Sequence, residues 1–360
     1  MKKQQIYKFG ELFSGPGGLA YGAIKTTVEA NDTLYSIAHG WANDFDEDTC
    51  VTYRKNISPE TPDTVICEDI RKLDIENTLT PIDIFAYGFP CNDFSVVGKQ
   101  KGFNGTYGPL YTYGLRVIDK FNPVAFIAEN VGGLRSANEG KAFEKILSDL
   151  GNAGAGYDIT VNLYKAEEYG VPQTRHRIII VGIRKDQKKK FQVPEPTHIG
   201  KYVTSREAFE NPPIPMNAKN NEITKQSAIV IERLKQIKPG QNIWTATLPP
   251  HLMLNIKGAK LSQIYKRLDP NKPSYTITGS GGGGTHGYHY AEPRALTNRE
   301  RARIQTFPDS FEFYGSKESV RKQIGMAVPV DLSKVIFTAL LKTLASVPYK
   351  SVQSNIKHIQ

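Results

Sequence analysis

The chain has 360 residues, of which 39% are hydrophobic and 10% aromatic, and its formal net charge is +10. This apolar content excludes a disordered chain, and the length predicts one large domain with a smaller one. The longest strongly apolar run, Ile178–Ile183, falls far short of the ~20 residues of a membrane-spanning helix, and no apolar stretch follows the first lysines as in a secretion signal. Three cysteines without Cys-x-x-Cys spacing argue against disulfides and structural zinc and favour a reducing cytoplasm.

The positive charge is concentrated in one part of the chain. Residues 186–317 contain 20 Lys/Arg and 11 Asp/Glu, which gives +9 of the total +10. Such asymmetry favours a polyanionic partner, because each neutralised phosphate releases a counterion. A solvated lysine-rich surface is an equally good explanation from charge alone.

Strand-like and helix-like segments alternate between residues 6 and 183. Helical patterns such as Phe143–Leu150 lie between the strand-like runs. The predicted strands are Phe9–Phe13, Leu34–Ala38, Val65–Ile66, Ile82–Tyr87, Val124–Ala128 and Ile178–Ile183. The alternation predicts an α/β fold with a mostly parallel sheet covered on both faces.

From about residue 186, prolines interrupt every long element, which predicts a second, smaller, loop-rich domain. Thr297 and Glu300 have the spacing of a helix-start capping box. Leu332–Leu344 is an amphipathic helix that we expect to pack on the first domain. The predicted domains are therefore residues 1–185 with 318–360, and residues 186–317.

A glycine turn and an acid follow the first two predicted strands, where α/β sheets bind their ligands. Gly15, Gly17 and Gly18 fit a loose dinucleotide-binding pattern, and Asp44 lies 26 residues after Gly18. These features suit an adenosine-containing cofactor without choosing between NAD and S-adenosylmethionine. An ordinary tight turn, and a helix N-cap at Asp44, are the simpler alternatives.

Cys91 follows the fourth predicted strand and is preceded by Gly88-Phe89-Pro90. A cysteine on a defined turn at this edge is a candidate nucleophile. Its ordinary pKa of ~8.5 leaves little thiolate at neutral pH, so a helix N-terminus or nearby cations must assist it. A buried, inert thiol is the alternative.

Several segments, taken in order along the chain, resemble the motifs of the C5-cytosine DNA methyltransferases. Most of the chain is covered, with a variable gap where that family places target recognition. The matching segments are Phe13–Gly18, Gly88–Cys91 with Phe94-Ser95, Glu129–Val131, Gln173–Arg177, Arg294–Pro308 and Gln323–Pro329. The resemblance implies a Rossmann-like methyltransferase sheet and a second, smaller, loop-rich target-recognition domain.

The resemblance also implies catalytic roles. Cys91 would attack C6 of a cytosine and make C5 nucleophilic, and Glu129 would hold N3. Arg175 would contact the base O2 and help to position the cysteine, and Arg177 would support that site. The acceptor of the C5 proton is not evident.

The cofactor implied by the resemblance is S-adenosyl-L-methionine, and no metal is expected. Asp44 would hold the ribose hydroxyls, and the backbone of the glycine turn would approach the cofactor closely. The remaining contacts would come from aromatic, acidic and aliphatic residues at the same edge: Phe13 and Phe45 at the adenine, Asp69 at its amino group with Ile70 beside it, and Leu110.

The implied substrate is double-stranded DNA, from which one cytosine is flipped out at a short specific site. We expect a monomer in the bacterial cytoplasm, with a restriction endonuclease acting on the same site as its functional partner. Two departures from the family pattern, Asn92 for Gln and Met326 for Asn, leave a non-catalytic DNA-binding relative open. An RNA-directed enzyme of the family, and an NAD oxidoreductase based on the glycine turn alone, are further alternatives.

Overall fold

The computed structural model describes residues 2–89, 110–134, 140–255, 261–279 and 284–356. The chain forms two compact units. The sheet unit contains residues 1–165, 176–196 and 330–360, and the loop unit contains residues 166–175 and 197–329. The first boundary thus lies at 196 rather than 185 and the last at 329 rather than 317, and the short segment 166–175 leaves the sheet unit for the loop unit.

The strands and helices have the following bounds. The strands are β1 (Lys3–Leu12), β2 (Thr27–Ala30), β3 (Thr33–Asp44), β4 (Val65–Cys67), β5 (Ile84–Tyr87), β6 (Ala125–Val131), β7 (Tyr157–Lys165), β8 (Gln173–Thr174), β9 (His176–Arg184), β10 (Val193–Pro194), β11 (Ser274–Tyr275) and β12 (Ser351–Val352). The helices are α1 (Gly18–Ile24), α2 (Glu47–Asn56), α3 (Ile75–Thr78), α4 (Tyr111–Phe121), α5 (Lys141–Asn152), α6 (Ser205–Glu210), α7 (Ala228–Gln236), α8 (Asn298–Ile304), α9 (Lys317–Met326) and α10 (Val330–Leu344).

The central sheet has the strand order β2-β3-β1-β5-β6-β9-β7, and β4 pairs with the end of β3. The pairs among β4, β3, β1, β5 and β6 are parallel, whereas β2, β9 and β7 join antiparallel to their neighbours. The predicted α/β fold and its six strands are confirmed. The prediction lacked β2, which is short and largely exposed, and it also lacked β7, although the alternation of its buried and half-buried residues is typical of a strand.

Because β1, β3, β4, β5 and β6 run in the same direction, the segments that follow them emerge at one edge of the sheet. Their interiors are apolar, and four aromatic rings continue the core toward that edge. Phe85 stacks on Tyr87 at 5.1 Å, and the series continues through Phe89 to Tyr111. The apolar core of the sheet therefore continues, through these aromatic rings, to the edge where ligands are expected to bind.

Helices α5 and α10 pack against this sheet unit as their periodicity predicts. In α5, Phe143, Ile146, Leu147 and Leu150 are buried. In α10, Ser333 Oγ donates a 2.7 Å hydrogen bond to the carbonyl of Leu19 in α1, which ties the end of the chain to the first helix.

One stretch of the described residues, 317–344, is long and apolar enough to span a membrane by length and composition. Its most apolar window is 72% buried inside the protein. This burial is the normal state of a core helix in a folded domain.

The loop unit has few regular elements. Its helices α6, α7, α8 and α9 are joined by long irregular segments, and β8 pairs with β11 in a two-residue parallel ladder. The predicted capping box is confirmed: Thr297 Oγ1 accepts a hydrogen bond from the Glu300 amide at 3.1 Å, and Glu300 Oε2 accepts one from the Thr297 amide at 2.8 Å.

Candidate active site

The glycine turn after β1 has left-handed backbone at Phe13, Gly15 and Gly17, with φ of 53°, 55° and 93°. A Cβ at Gly17 would lie 2.0 Å from Ile57 Cδ1 and 2.9 Å from the Tyr53 ring, so this glycine is needed for packing. A Cβ at Gly15 would meet nothing within 4 Å. Gly15 therefore leaves open space beside the turn, whereas Gly17 lets the start of α1 approach Tyr53 and Ile57 closely.

Asp44 is held directly against this turn. Its Oδ2 accepts a 2.9 Å hydrogen bond from the Gly15 amide, and its Oδ1 accepts one of 3.1 Å from the Asp46 amide. Burial raises the pKa of Asp44, and these amide donors oppose that shift. The ring of Phe45, the next residue, is 69% exposed. A carboxylate thus lies beside the open space at Gly15, and an exposed aromatic ring follows it in the chain.

Asp69 lies beyond β4, whose Cys67 is paired with Asp44 of β3. Its carboxylate receives hydrogen bonds from the Arg71 guanidinium, with Nε to Oδ1 at 2.9 Å, and this partner lowers the pKa of Asp69 to about 2. Ile70 is buried in the sheet core, as is Leu110 just before α4. Phe13 packs against the same apolar cluster. The predicted cofactor residues of β1, β3 and β4 accordingly follow three adjacent strands.

Glu129 of β6 pairs with Arg177 of β9. Arg177 Nε lies 2.8 Å from Glu129 Oε1, and the two side chains are only 13% and 14% exposed. The pairing follows from the antiparallel register: Arg177 is opposite Val131, and Glu129 lies two residues away on the same face. The sheet therefore orients one carboxylate oxygen by a charge-assisted hydrogen bond.

Cys91 and Asn92 lie outside the described residues, and Gly88, three residues before Cys91, lies beside Glu129. A Cβ at Gly88 would be 3.2 Å from Glu129 Oε2. The buried Asn130 donates a 3.0 Å hydrogen bond from Nδ2 to the Phe89 carbonyl. The sequence prediction gives Asn130 of the Glu129–Val131 motif no role, although a polar residue in a largely buried strand indicates one.

Arg175 is placed differently from the expectation that it contacts a base. It is 1% exposed and lies within the loop unit. Its Nη1 donates to the Ile277 carbonyl at 3.2 Å, and its Nη2 donates to the carbonyls of Gly325 and Ala327 at 3.0 and 2.9 Å. The guanidinium is thus turned into the interior of the loop unit and joins two backbone segments, an arrangement that does not favour the predicted contact with a base.

Part of the positive charge in residues 186–317 is also internal. Arg267 is 6% exposed, Arg299 0% and Arg301 3%, and each donates to backbone carbonyls. The charge available to a polyanion is therefore smaller than the sequence count suggests. Met326, the residue that departs from the family pattern, is 65% exposed at the end of α9.

Comparisons with known proteins agree along the whole chain. The sequence model of the C-5 cytosine-specific DNA methylases matches residues 7–342. The chain is 58% identical over 354 residues to the Type II methyltransferase M.BbvI of Brevibacillus brevis, covering 97% of this chain and 94% of that protein. It is 44% identical over 341 residues to the Type II methyltransferase M.NgoFVII of Neisseria gonorrhoeae, with coverage of 91% and 86%.

Solved structures share the fold at lower identity. The Entamoeba histolytica methyltransferase EhMeth is 16% identical, has a TM-score of 0.61, and the match covers 95% of this chain and 99% of that one. The Dnmt2 methyltransferase of S. pombe is also 16% identical, with a TM-score of 0.55 and coverage of 93% and 98%.

Proposed function

This chain belongs to the C-5 cytosine-specific DNA methylase family, and from that premise we propose that it flips a cytosine out of a short specific DNA site and methylates C5. The observation that carries the proposal is the Glu129–Arg177 pair beside the backbone that leads to Cys91. The family is one of DNA (cytosine-5-)-methyltransferases that depend on S-adenosylmethionine, and relatives of this chain are of the restriction–modification type.

The residues after β1, β3 and β4 suit S-adenosyl-L-methionine. The space at Gly15 admits a ligand against the backbone, the exposed Phe45 ring offers a face for adenine, and the Asp44 carboxylate can accept from ribose hydroxyls. Asp69 would accept from the adenine amino group, while Phe13, Ile70 and Leu110 form apolar surroundings. When bound, the cofactor supplies an electrophilic methyl group on its sulfonium.

We assign the covalent step to Cys91, which would add to C6 so that C5 becomes nucleophilic. Glu129 would hold N3, because its Oε1 is already fixed by Arg177 and it can accept or donate at its other oxygen. We assign the contact with the base O2 to Arg177 rather than Arg175, since the former lies at the Glu129 carboxylate and the latter is bound to carbonyls. After methyl transfer, a water molecule or hydroxide would take the C5 proton, and the C6–S bond would break to release Cys91 as its thiolate.

The sharpest test uses duplex DNA containing 5-fluorocytosine at the methylated site, which is found first by bisulfite sequencing of DNA from expressing cells. Fluorine cannot leave as the proton does, so we expect a covalent adduct in denaturing electrophoresis and mass spectrometry. Cys91→Ser abolishes this adduct, whereas Cys67→Ser, the matched control at the exposed cysteine, keeps it. Trapping by the Cys91 variant, or none by the wild type, would refute the covalent mechanism.

The two arginines make a second test. Arg177→Gln is expected to lower kcat by about 10²-fold with little change in unfolding free energy, because it removes a group that acts on the reacting base. Arg175→Met is expected to destabilise the fold instead, since three buried carbonyls each lose a donor, although that of Ala327 keeps one from the Gln305 side chain. The reverse pattern would restore Arg175 as the base contact.

The proposed physiological role is protection of DNA from a restriction endonuclease that cuts the same site. It is supported by the relatives that are named Type II methyltransferases. DNA isolated from expressing cells should resist a nuclease specific for the mapped site. We propose the loop unit as the target-recognition domain and the monomer as the active form, to be checked by domain exchange and by light scattering.

A further inference from the structure

A small polar cavity lies within the loop unit, and none of the residues assigned above lines it. Its walls include His286, Arg301, Lys317 and Arg321, together with Glu222. Arg301 belongs to α8, while Lys317 and Arg321 belong to the first half of α9. Three cationic side chains and a histidine thus surround one cavity.

Arg301 forms the buried wall of this cavity. Its Nη1 donates to the Leu296 carbonyl at 2.5 Å, and its Nη2 donates to the backbone carbonyl of His286. Burial lowers the pKa of Arg301 to about 10, and the charge of Arg321 adds to this effect. A permanent positive charge is therefore held in a poorly solvated place near a second one.

Arg321 has donor capacity left over at this cavity. Its Nη1 lies 3.1 Å from His286 Nδ1 and its Nη2 lies 3.3 Å from Glu318 Oε1. Its Nε is buried and has no hydrogen-bond partner among the described residues. A buried donor without an acceptor is costly, unless a ligand supplies the acceptor.

The hydrogen bond with Arg321 also determines the state of the histidine. Arginine cannot accept a hydrogen bond, so His286 Nδ1 is the acceptor and the neutral ring carries its proton on Nε2. Burial and the charges of Arg321 and Arg301 lower the pKa of His286, which favours this neutral form. His286 is then a second N–H donor rather than a third buried charge.

The nearby carboxylates offset these cations only in part: the charge of Glu300 raises the pKa of Arg301, but burial lowers it by more. Glu222 is exposed, and the side chain of Glu318 is 84% exposed and meets only one Nη of Arg321. Lys317 is held at the rim, where its Nζ donates to the Ile223 carbonyl at 3.1 Å. N–H donors and positive charge therefore exceed acceptors, which is the composition of an oxyanion site.

We propose that this cavity is a phosphate-binding site, and that its ligand during DNA binding is a backbone phosphate contacted by Arg321 and His286. This inference rests on the proposed function, because the phosphate belongs to the backbone of the DNA that the enzyme would methylate. The site would position the duplex on the loop unit without reading its sequence. Inorganic phosphate has the same chemistry and can occupy the same donors.

The test compares wild type with Arg321→Met, which keeps the apolar stem of the side chain. Binding to the mapped DNA site is measured at several salt concentrations. We expect the variant to bind about 5- to 10-fold more weakly at low salt, and the slope of log K against log[salt] to fall by about 0.9. Lys225→Ala, at an exposed lysine of the same unit outside the cavity, is the matched control and should change the slope less.

Thermal unfolding with inorganic phosphate tests the cavity independently of DNA binding. Inorganic phosphate should raise the thermal midpoint of the wild type more than that of Arg321→Met, and both proteins should bind S-adenosylhomocysteine equally. A phosphate effect without a change in DNA slope would retain the oxyanion site and identify free phosphate as its ligand. Equal DNA slopes and equal phosphate effects in both proteins would overturn the proposal. Failure of the wild type to bind DNA at all would contradict the proposed function, and the phosphate measurement would still decide the cavity.

Discussion

The sheet unit and the loop unit satisfy their buried backbone groups in different ways. In the sheet unit, strand ladders pair these groups, and runs such as Ile178–Ile183 fill the interior with aliphatic side chains. In the loop unit, where ladders are scarce, buried guanidinium groups donate to carbonyls instead. Arg267 donates to four of them: those of His289, Leu234, Ile237 and Tyr290.

This difference changes how the charge of the loop unit is interpreted. A guanidinium has five donors in a fixed plane, so one arginine can serve several carbonyls that no strand reaches. Arg299 does the same for Lys219, Pro308 and Phe311. Arginine in an irregular domain is therefore a structural residue as well as a ligand for polyanions, and burial separates the two uses.

The largest expected effect is that of Arg267→Met, which would remove a donor from four carbonyls of the loop unit, of which that of Leu234 keeps the Ile237 amide. We expect a loss of about 3–5 kcal/mol of unfolding free energy, measured by denaturant titration. Arg206→Met, at an exposed position of α6, is the control and should stay within about 0.5 kcal/mol. A loss below about 1 kcal/mol at Arg267 would break the contrast between the units.

The glycine turn of the sheet unit should separate folding from ligand binding. Gly17→Ala places a methyl group against Ile57 and Tyr53 at positive φ, so we expect a loss of about 2–3 kcal/mol in unfolding free energy. Gly15→Ala meets no neighbour and should lose about 1 kcal/mol, but weaken S-adenosylhomocysteine binding in calorimetry. Equal stability losses would show that Gly15 is also a packing residue.

His39, a partly buried histidine of the sheet unit, should make a smaller, pH-dependent contribution to the free energy of unfolding. Burial, with the charge of Lys8, lowers the pKa of His39 to about 4 from its usual 6.5, and its Nε2 bonds Thr64 Oγ1 at 2.8 Å. As pH falls, the imidazole of His39 is protonated in the unfolded chain near pH 6.5 but in the folded protein only near pH 4. The free energy of unfolding should therefore fall as pH drops from 6.5 toward 4. After allowance for partial exposure the loss is about 1–2 kcal/mol. His39→Gln should flatten this dependence in denaturant titrations between pH 7.5 and 5, and an unchanged dependence would assign it to other groups.

The smallest effect should come from an exposed ion pair of the sheet unit. Lys145 lies 2.9 Å from Asp149 one turn along α5, but its side chain is 56% exposed. Lys145→Ala should change the unfolding free energy by at most about 0.5 kcal/mol, less so at high salt. A loss comparable to that at Arg267 would mean that burial does not decide the role of these cations.

Much of this protein is determined by local sequence. The hydrophobic runs specify the six strands that were predicted, the periodicity of α5 and α10 specifies their buried faces, and Thr297 with Glu300 specifies the start of α8. The motifs identify the family, because they occur together in that family's order along the chain even where single residues such as Met326 depart from the pattern. These features depend on neighbours within a few residues, or on order alone.

Other features depend on which distant residues meet, and only the tertiary structure decides them. The register of β6 with β9 brings Arg177 to Glu129, whereas Arg175, two residues earlier, turns inward to carbonyls more than a hundred residues away. The loop unit likewise determines which arginines are buried and which converge on the cavity at Arg321. Sequence counts charges and donors, but their partners and solvent exposure are long-range properties of the folded chain.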